Sequence, residues 1–237
     1  SMMPDKEDAK EDSALRRLDE TAALRQIVEG TAKETGEGFF AALVEHLAKA
    51  LATHGAWVTI TDGHARRLRS VAFWLGDRLV PDYEYDIAGT PCEAVFKECR
   101  LVHVPDNVIQ LYPDDPDLKP LGAVSYLGVP LLDVDGKILG HLAVLDLRPM
   151  PEDPRVLALF RIFAARAAAE LQRMRAERQV REREEKLRRL FDSALDGIIE
   201  LDQHLQVTRM NPAAEKIFGC AGTNVAGKNF TRFLLPE

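Results

Sequence analysis

Residues Ser125 to Asp146, SYLGVPLLDVDGKILGHLAVLD, decide the fold. Two apolar runs rich in β-branched residues, Ser125–Leu132 and Ile138–Asp146, flank a polar link whose Asp135-Gly136 supplies the positive-φ position that a short hairpin turn needs. The strands are apolar at nearly every position instead of alternating, so both faces must be covered. The hairpin therefore belongs at the centre of a sheet with helices on each side.

Towards the N-terminus, Trp57–Thr61, a turn at Asp62-Gly63 and Leu68–Leu75 make another hairpin, with Tyr83–Ile87 and Leu101–Val104 as further strands, six in all. Before them, Phe40, Leu43, Val44, Leu47 and Leu51 form one helical stripe with Gly55 as its stop. Ser13 caps an earlier helix through Leu15, Leu18, Ala22, Leu24, Ile27 and Val28. Between the third and fourth strands, Gly89-Thr90-Pro91-Cys92-Glu93 reads as a helix start. Thr90 is the N-cap, Pro91 takes N1, and Glu93 at N3 closes a capping box. The irregular connection Pro105–Gly122 follows, with one helical turn from Asp115-Pro116 cut short by Pro120. Its apolar Val108, Ile109, Leu111, Tyr112, Leu118 and Leu121 make it a packed lid rather than a free loop.

After Pro151 the pattern is helical through Leu157, Phe160, Ile162, Phe163, Ala167, Leu171 and Met174, then thins to Val180, Leu187 and Leu190 among alternating Arg and Glu. Extending the heptad from Leu171 and Met174 predicts apolar residues at Arg178 and Arg181, so the repeat changes phase at Val180. A helix over 156–189 spans about 50 Å, a connector's dimension. From Phe191 onward, Gly197–Asp202 and Leu205–Met210 pair as strands, Asn211-Pro212 opens a helix, and Phe230–Leu235 adds a turn.

The 237 residues allow one full domain and part of another. The formal charge of −7 lies partly in the run Asp5–Asp12, a solvated tail, and calls for no nucleic-acid partner. Three cysteines at unrelated spacings, no signal peptide and no span long enough for a bilayer predict a cytoplasmic protein without membrane contact. Ser1 before Met2 reads as a cloning remnant and is set aside.

The Gly89–Glu93 helix start, the strand Ser125-Tyr126-Leu127-Gly128-Val129-Pro130-Leu131 and the strand Gly140-His141-Leu142-Ala143-Val144-Leu145-Asp146 resemble a GAF domain over about Gly36 to Leu171. The likeness is to GAF domains of bacterial multidomain sensors: formate-hydrogenlyase-activator-like regulators, histidine kinases and diguanylate cyclases. Phe191–Ile199 with Asn211-Pro212-Ala213-Ala214 is similar to the first half of a PAS domain, and the Arg/Glu-rich helix resembles a signalling linker.

The resemblance implies an α+β fold, a six-stranded antiparallel sheet with helices on both faces, the terminal helices on one and a ligand cavity on the other. It sets out a disordered tail at 1–12, a dimerisation helix at 13–34, a GAF sensor at 35–171, a long helix and linker at 152–191 and a truncated PAS segment at 192–237. It further implies a non-enzymatic sensory region, of the two-component or transcription-regulating kind, in a longer protein. An unidentified small molecule would be its ligand, with no cofactor named; a homodimer is expected through the N-terminal and linker helices, because both carry apolar stripes that one sheet cannot wholly cover.

The candidate pocket residues are Cys92, Phe96, His103, Tyr126 and His141. Cys92 at N2 sits where exposed N–H groups favour a thiolate or an anion, or it is a small packed residue while Thr90 and Glu93 satisfy those groups. His103 and His141 make a ligand- or metal-binding pair, or are each satisfied by one hydrogen bond. Tyr126 is core or a hydroxyl aimed at a ligand. Asp106, Asp114, Asp115 and Asp117 show no calcium-loop spacing and read as loop solvation and caps, so no metal is assigned.

Cys92 and Cys99, about 10 Å apart along a helix, exceed the roughly 7 Å reach of a disulfide. That counts against a GAF-type methionine sulfoxide reductase, the enzymatic alternative. A ligand-free dimerisation scaffold is the other. The cyclic-nucleotide signature NKxnFxxxDE, a bilin-attachment cysteine, a phosphate-binding glycine loop, HExxH and a kinase phospho-acceptor motif are all missing. The basic residues of Arg173–Arg189 alternate with acids, which fits a salt-bridged helix face better than a DNA surface.

Overall fold

The computed structural model of the chain describes residues 35–61 and 66–233, with Ala22, Arg25, Glu29 and Gly30 as separate helical positions. The acidic tail, the rest of the 13–34 helix and the Asp62-Gly63 turn lie outside the described residues. Two compact units divide the chain at Met174.

In the first unit the order is α1 (Glu37–Leu51), β1 (Gly55–Ile60), β2 (Arg67–Leu75), β3 (Arg78–Leu79), β4 (Glu84–Asp86), α2 (Pro91–Glu98), β5 (Val102–Val104), α3 (Val108–Leu111), α4 (Leu118–Leu121), β6 (Ser125–Leu132) and β7 (Ile138–Asp146). Helix α5 (Pro154–Ser193) follows and continues into the second unit. The sheet runs β3-β2-β1-β7-β6-β5, with β4 also pairing β2. Every pairing is antiparallel. The six expected strands are joined by the short β3, which folds back past Gly76 to pair with Trp74 and Leu75.

The β6–β7 hairpin does occupy the interior of the sheet, with β1 on its other side. Its turn uses Gly136 at φ 79°. The Asp133 carboxylate accepts from the amides of Asp135 and Lys137 and fixes the link.

Alternation along β7 sends successive residues to two different cores. Leu142 and Val144, with Val58, Leu127 and Val129, pack on Phe40, Leu43 and Leu47 of α1 and on Phe160, Phe163 and Ala167 of α5. Ala143 and Leu145 face the opposite layer, where Trp57 and Tyr126 meet Cys92 and Val95 of α2 and Val108 and Leu118 of the lid.

Helix α1 ends at Ala52, which takes the left-handed conformation at φ 53°. Gly55 is not its stop. That glycine opens β1, where a Cβ would lie 3.2 Å from Cγ of Leu145 and 3.4 Å from Cδ1 of Leu75, so close packing explains the residue. At the other end of α1, the Gly36 amide donates to Oε1 of Glu170 on α5 at 2.9 Å, and Arg173 holds the same carboxylate. In the lid, Pro120 lies within α4 instead of ending it. A single turn has no intrahelical acceptor for its first amides, so the missing N–H costs nothing there. Helix α5 starts at Pro154 behind Asp153, whose carboxylate accepts from the Arg155 amide, and runs to Ser193.

The second unit holds the hairpin β8 (Ile199–Leu201) and β9 (Val207–Met210), α6 (Pro212–Phe218), α7 (Gly222–Val225) and a 3₁₀ turn at Phe230–Phe233. Buried Asn211 organises it. Its Oδ1 accepts from the amides of Ala214, at the start of α6, and Ile198, while Nδ2 donates to the Asp196 carbonyl.

Candidate functional site

Helix α2 places Cys92 against the sheet. Thr90 Oγ1 accepts from the Glu93 amide and donates to the Ile87 carbonyl at 2.7 Å. The capping box differs from its usual form in one contact. The Thr90 amide already reaches Ile87 O, so the Glu93 carboxylate takes the Gly89 amide instead. We expect Thr90→Ala to lower the urea-unfolding stability of this unit by about 1 kcal/mol and Thr90→Ser to recover most of it.

Cys92 Sγ lies 3.1 Å from Nε2 of His141, 3.3 Å from the Tyr85 hydroxyl and 3.5 Å from the Tyr126 hydroxyl. On the far side of the imidazole, Nδ1 meets Thr59 Oγ1 at 2.5 Å. Trp57 Nε1 donates to the Tyr85 hydroxyl at 3.1 Å. Each position follows from register: His141 opposes Thr59 and Ala143 opposes Trp57 across β7 and β1. Trp57 and Phe96 flank the imidazole, with ring centroids 6.1 and 5.6 Å away. Cys92, Tyr126, His141 and Thr59 are all buried.

Burial governs the charges. It pulls His141 down to about 3 and pushes the Cys92 thiol up to about 11, the latter against hydrogen bonds from Tyr126 and Tyr85. Burial, then proximity to Cys92, also holds the Tyr85 and Tyr126 hydroxyls in their neutral forms. Two imidazole tautomers satisfy the contacts, one accepting the thiol proton at Nε2 and donating from Nδ1 to Thr59, the other reversed. In either, one proton lies between Sγ and Nε2 and the pair has no net charge.

Of the expected site residues, Cys92, Phe96, Tyr126 and His141 come together. His103 does not join them. Its neighbours Val102 and Val104 face the Cys92 layer, so His103 points the other way, and its Nε2 meets the Met150 carbonyl at 2.8 Å. The His103–His141 pair therefore does not form. Trp57, Thr59 and Tyr85 complete the cluster without having been singled out by the sequence. A polar Thr59 within an otherwise apolar strand was the available signal.

The lid carboxylates serve local structure. Asp106 accepts from the Asn107 amide, Asp115 from the amides of Asp117 and Leu118, and Asp117 from the Tyr83 hydroxyl. Among the described residues no three His, Cys, Asp or Glu side chains converge as a metal cluster. Cys92 is buried and Cys99 exposed, and both thiols are free.

Residues 35–171 match the family model of the GAF domain. The chain belongs to the GAF domain family. Residues 185–237 match a PAS domain model, so a GAF domain is followed by a PAS-type domain. Among solved structures, the GAF domain of an Acinetobacter phosphoenolpyruvate-protein phosphotransferase is 16% identical at a TM-score of 0.55, covering 68% of this chain and 97% of that one. Its Coxiella burnetii counterpart is 20% identical at 0.54, covering 68% and 96%. The nlh2 GAF domain of A. aeolicus is 14% identical at 0.50, covering 69% and 99%. These identities speak for the fold alone. No curated protein matches the sequence. Among the described residues no helix is long and apolar enough to cross a membrane.

Proposed function

We propose that this chain is the sensory region of a signal-transduction protein, non-enzymatic and cytoplasmic, with the Cys92–His141 cluster of its GAF domain as the sensing centre. The observation that supports this most is the alternation along β7. His141 belongs to the cluster, and its neighbour Leu142 packs in the core containing Phe160, Phe163 and Ala167 of α5. A ligand that displaces β7 at His141 displaces Leu142 with it, and packed cores transmit small shifts because they are dense. Helix α5 then carries the change on towards the PAS segment. The ligand is a small molecule held between the β1–β7 floor and the roof made by α2 and the lid.

Native mass spectrometry of protein purified from cells tests this. We expect a retained small molecule that is lost on denaturation. A bare mass would favour the second reading, a self-filled scaffold. The mutual satisfaction of Cys92, His141, Tyr85 and Tyr126 fits that reading too.

The homodimer expected from the sequence is part of the proposal. Val180, Leu187 and Leu190 on α5 are each more than half exposed and recur at heptad spacing, a stripe that a second copy would bury. In a cysteine-free background, Val180→Cys and Leu187→Cys should crosslink between copies, and Arg181→Cys should not. Equal crosslinking at all three positions would count against the interface.

A further inference from the structure

The cluster contains one feature that the retained-molecule reading does not need. A neutral thiol hydrogen-bonded to a neutral imidazole is the proton-loaded form of a two-ligand metal site. We propose that Cys92 Sγ and His141 Nε2 bind one soft monovalent metal ion, Cu(I) by chemical class. The ion would act at that same sensing centre, in addition to the small molecule, and to that extent the proposal rests on that reading.

Four observations carry it. The two donors are a thiol sulfur and an imidazole nitrogen, 3.1 Å apart and already facing one another. Thiolate is the ligand that selects Cu(I), and imidazole suits copper. The imidazole is held through its other nitrogen by Thr59, as the ring of a metal-ligating histidine commonly is. Two neutral hydroxyls, those of Tyr85 and Tyr126, can donate to a thiolate sulfur without adding charge. Finally, no third His, Cys, Asp or Glu joins the pair among the described residues. Zinc needs four ligands and would leave an uncompensated charge in a buried site.

The exchange balances without any redox step. The S–H bond breaks, S–Cu and Cu–N bonds form, and one proton leaves to solvent for each Cu(I) bound. A monovalent cation replaces a proton, so the buried site stays neutral. With metal–ligand bonds of roughly 2.3 and 2.0 Å, the near-linear S–Cu–N unit of two-coordinate Cu(I) sets the donors about 4.3 Å apart, roughly 1 Å more than their hydrogen-bonded 3.1 Å, so α2 must withdraw from β7 as the ion enters. Helix α2 is only eight residues long, begins behind Gly89 at φ 73° and ends at Cys99 in the left-handed conformation, so it is a small body to move.

The test is anaerobic titration of the reduced full chain, carrying Cys99→Ser and Cys220→Ser, with Cu(I) against a competing chromophoric chelator, followed by X-ray absorption of the loaded protein. We expect one Cu(I) per chain, one sulfur and at least one nitrogen in its first shell, and at least tenfold weaker binding after His141→Gln. Thr59→Val should weaken binding by about 10-fold while leaving both ligands in place. No uptake, or uptake with equal affinity in the Cys92→Ser chain, would overturn the proposal. So would a shell lacking nitrogen, a result that needs neither a Cys92 nor a His141 variant to fold. Failure here would leave the sensory reading to its own mass-spectrometry test.

Discussion

Gly140→Ala is expected to destabilise the GAF domain by about 3 kcal/mol, at the upper end of what overpacking a core costs, and to lower its thermal midpoint by roughly 6–12 °C. Gly140 sits on β7 opposite Ile60 on one side and Leu131 on the other. A Cβ built there would overlap the carbonyl oxygen of Thr59 and lie 2.8 Å from its carbonyl carbon and 3.1 Å from Cα of Ile60. All three obstacles are backbone atoms of β1, so no rotamer change relieves them. The strand itself must move, and Thr59 moves with it, away from His141. Circular dichroism melts of the purified chain check the stability. Gly136→Asn is the control: that glycine is needed for its positive φ and has open space around it, and Asn accepts that conformation. The control should change stability by less than 1 kcal/mol. A Gly140→Ala loss as small as the control's would mean that β1 yields freely.

The hairpin was legible because its apolar runs and Asp-Gly turn state both the element and its burial. The capped helix was legible because Thr-Pro-x-Glu is local chemistry, and only the destination of the Glu93 carboxylate required the structure. Strand β3 carried no signal, since Arg78 and Leu79 are both exposed and too few to show a period. The Gly55 assignment failed because glycine serves two ends, stopping helices and admitting close neighbours, and only tertiary packing tells which.

The site was half legible for a related reason. Period-two patterning says which residues of one strand share a face, but not which face of another strand they match. His103 and His141 look equivalent in sequence, each inside an apolar strand. They differ in the parity that β5–β6–β7 pairing imposes. Thr59 and Trp57 reach the cluster only through the β1–β7 register, a contact between distant parts of the chain that local pattern cannot supply.

The neutral state of the Cys92–His141 pair predicts a pH profile of stability with loss on both sides of neutrality. An unfolded imidazole takes up its proton near 6.5, whereas buried His141 does so only near 3. The folded value is depressed, so as pH falls through 6.5 the unfolded chain binds the extra proton and stability is lost. The slope is about 1.4 kcal/mol per pH unit, or about 2 kcal/mol by pH 5. On the alkaline side the unfolded thiol loses its proton near 9 and folded Cys92 near 11, so stability falls as pH rises through that window. Glu93 and Glu170, held low by Lys97 and Arg173, lose their stabilisation only below 4.5, and Asp115, raised by burial, acts with the opposite sign from its ordinary range upward. The difference between the wild-type and His141→Gln profiles over about 6.5 to 4.5 therefore isolates His141. Urea midpoints of the reduced, chelator-treated chain should fall across that interval, and His141→Gln should flatten that limb even though it lowers stability at neutral pH. A wild-type profile parallel to that of His141→Gln down to about pH 5 would show that His141 is protonated within the folded domain, which requires α2 and the lid to open and admit water to the imidazole.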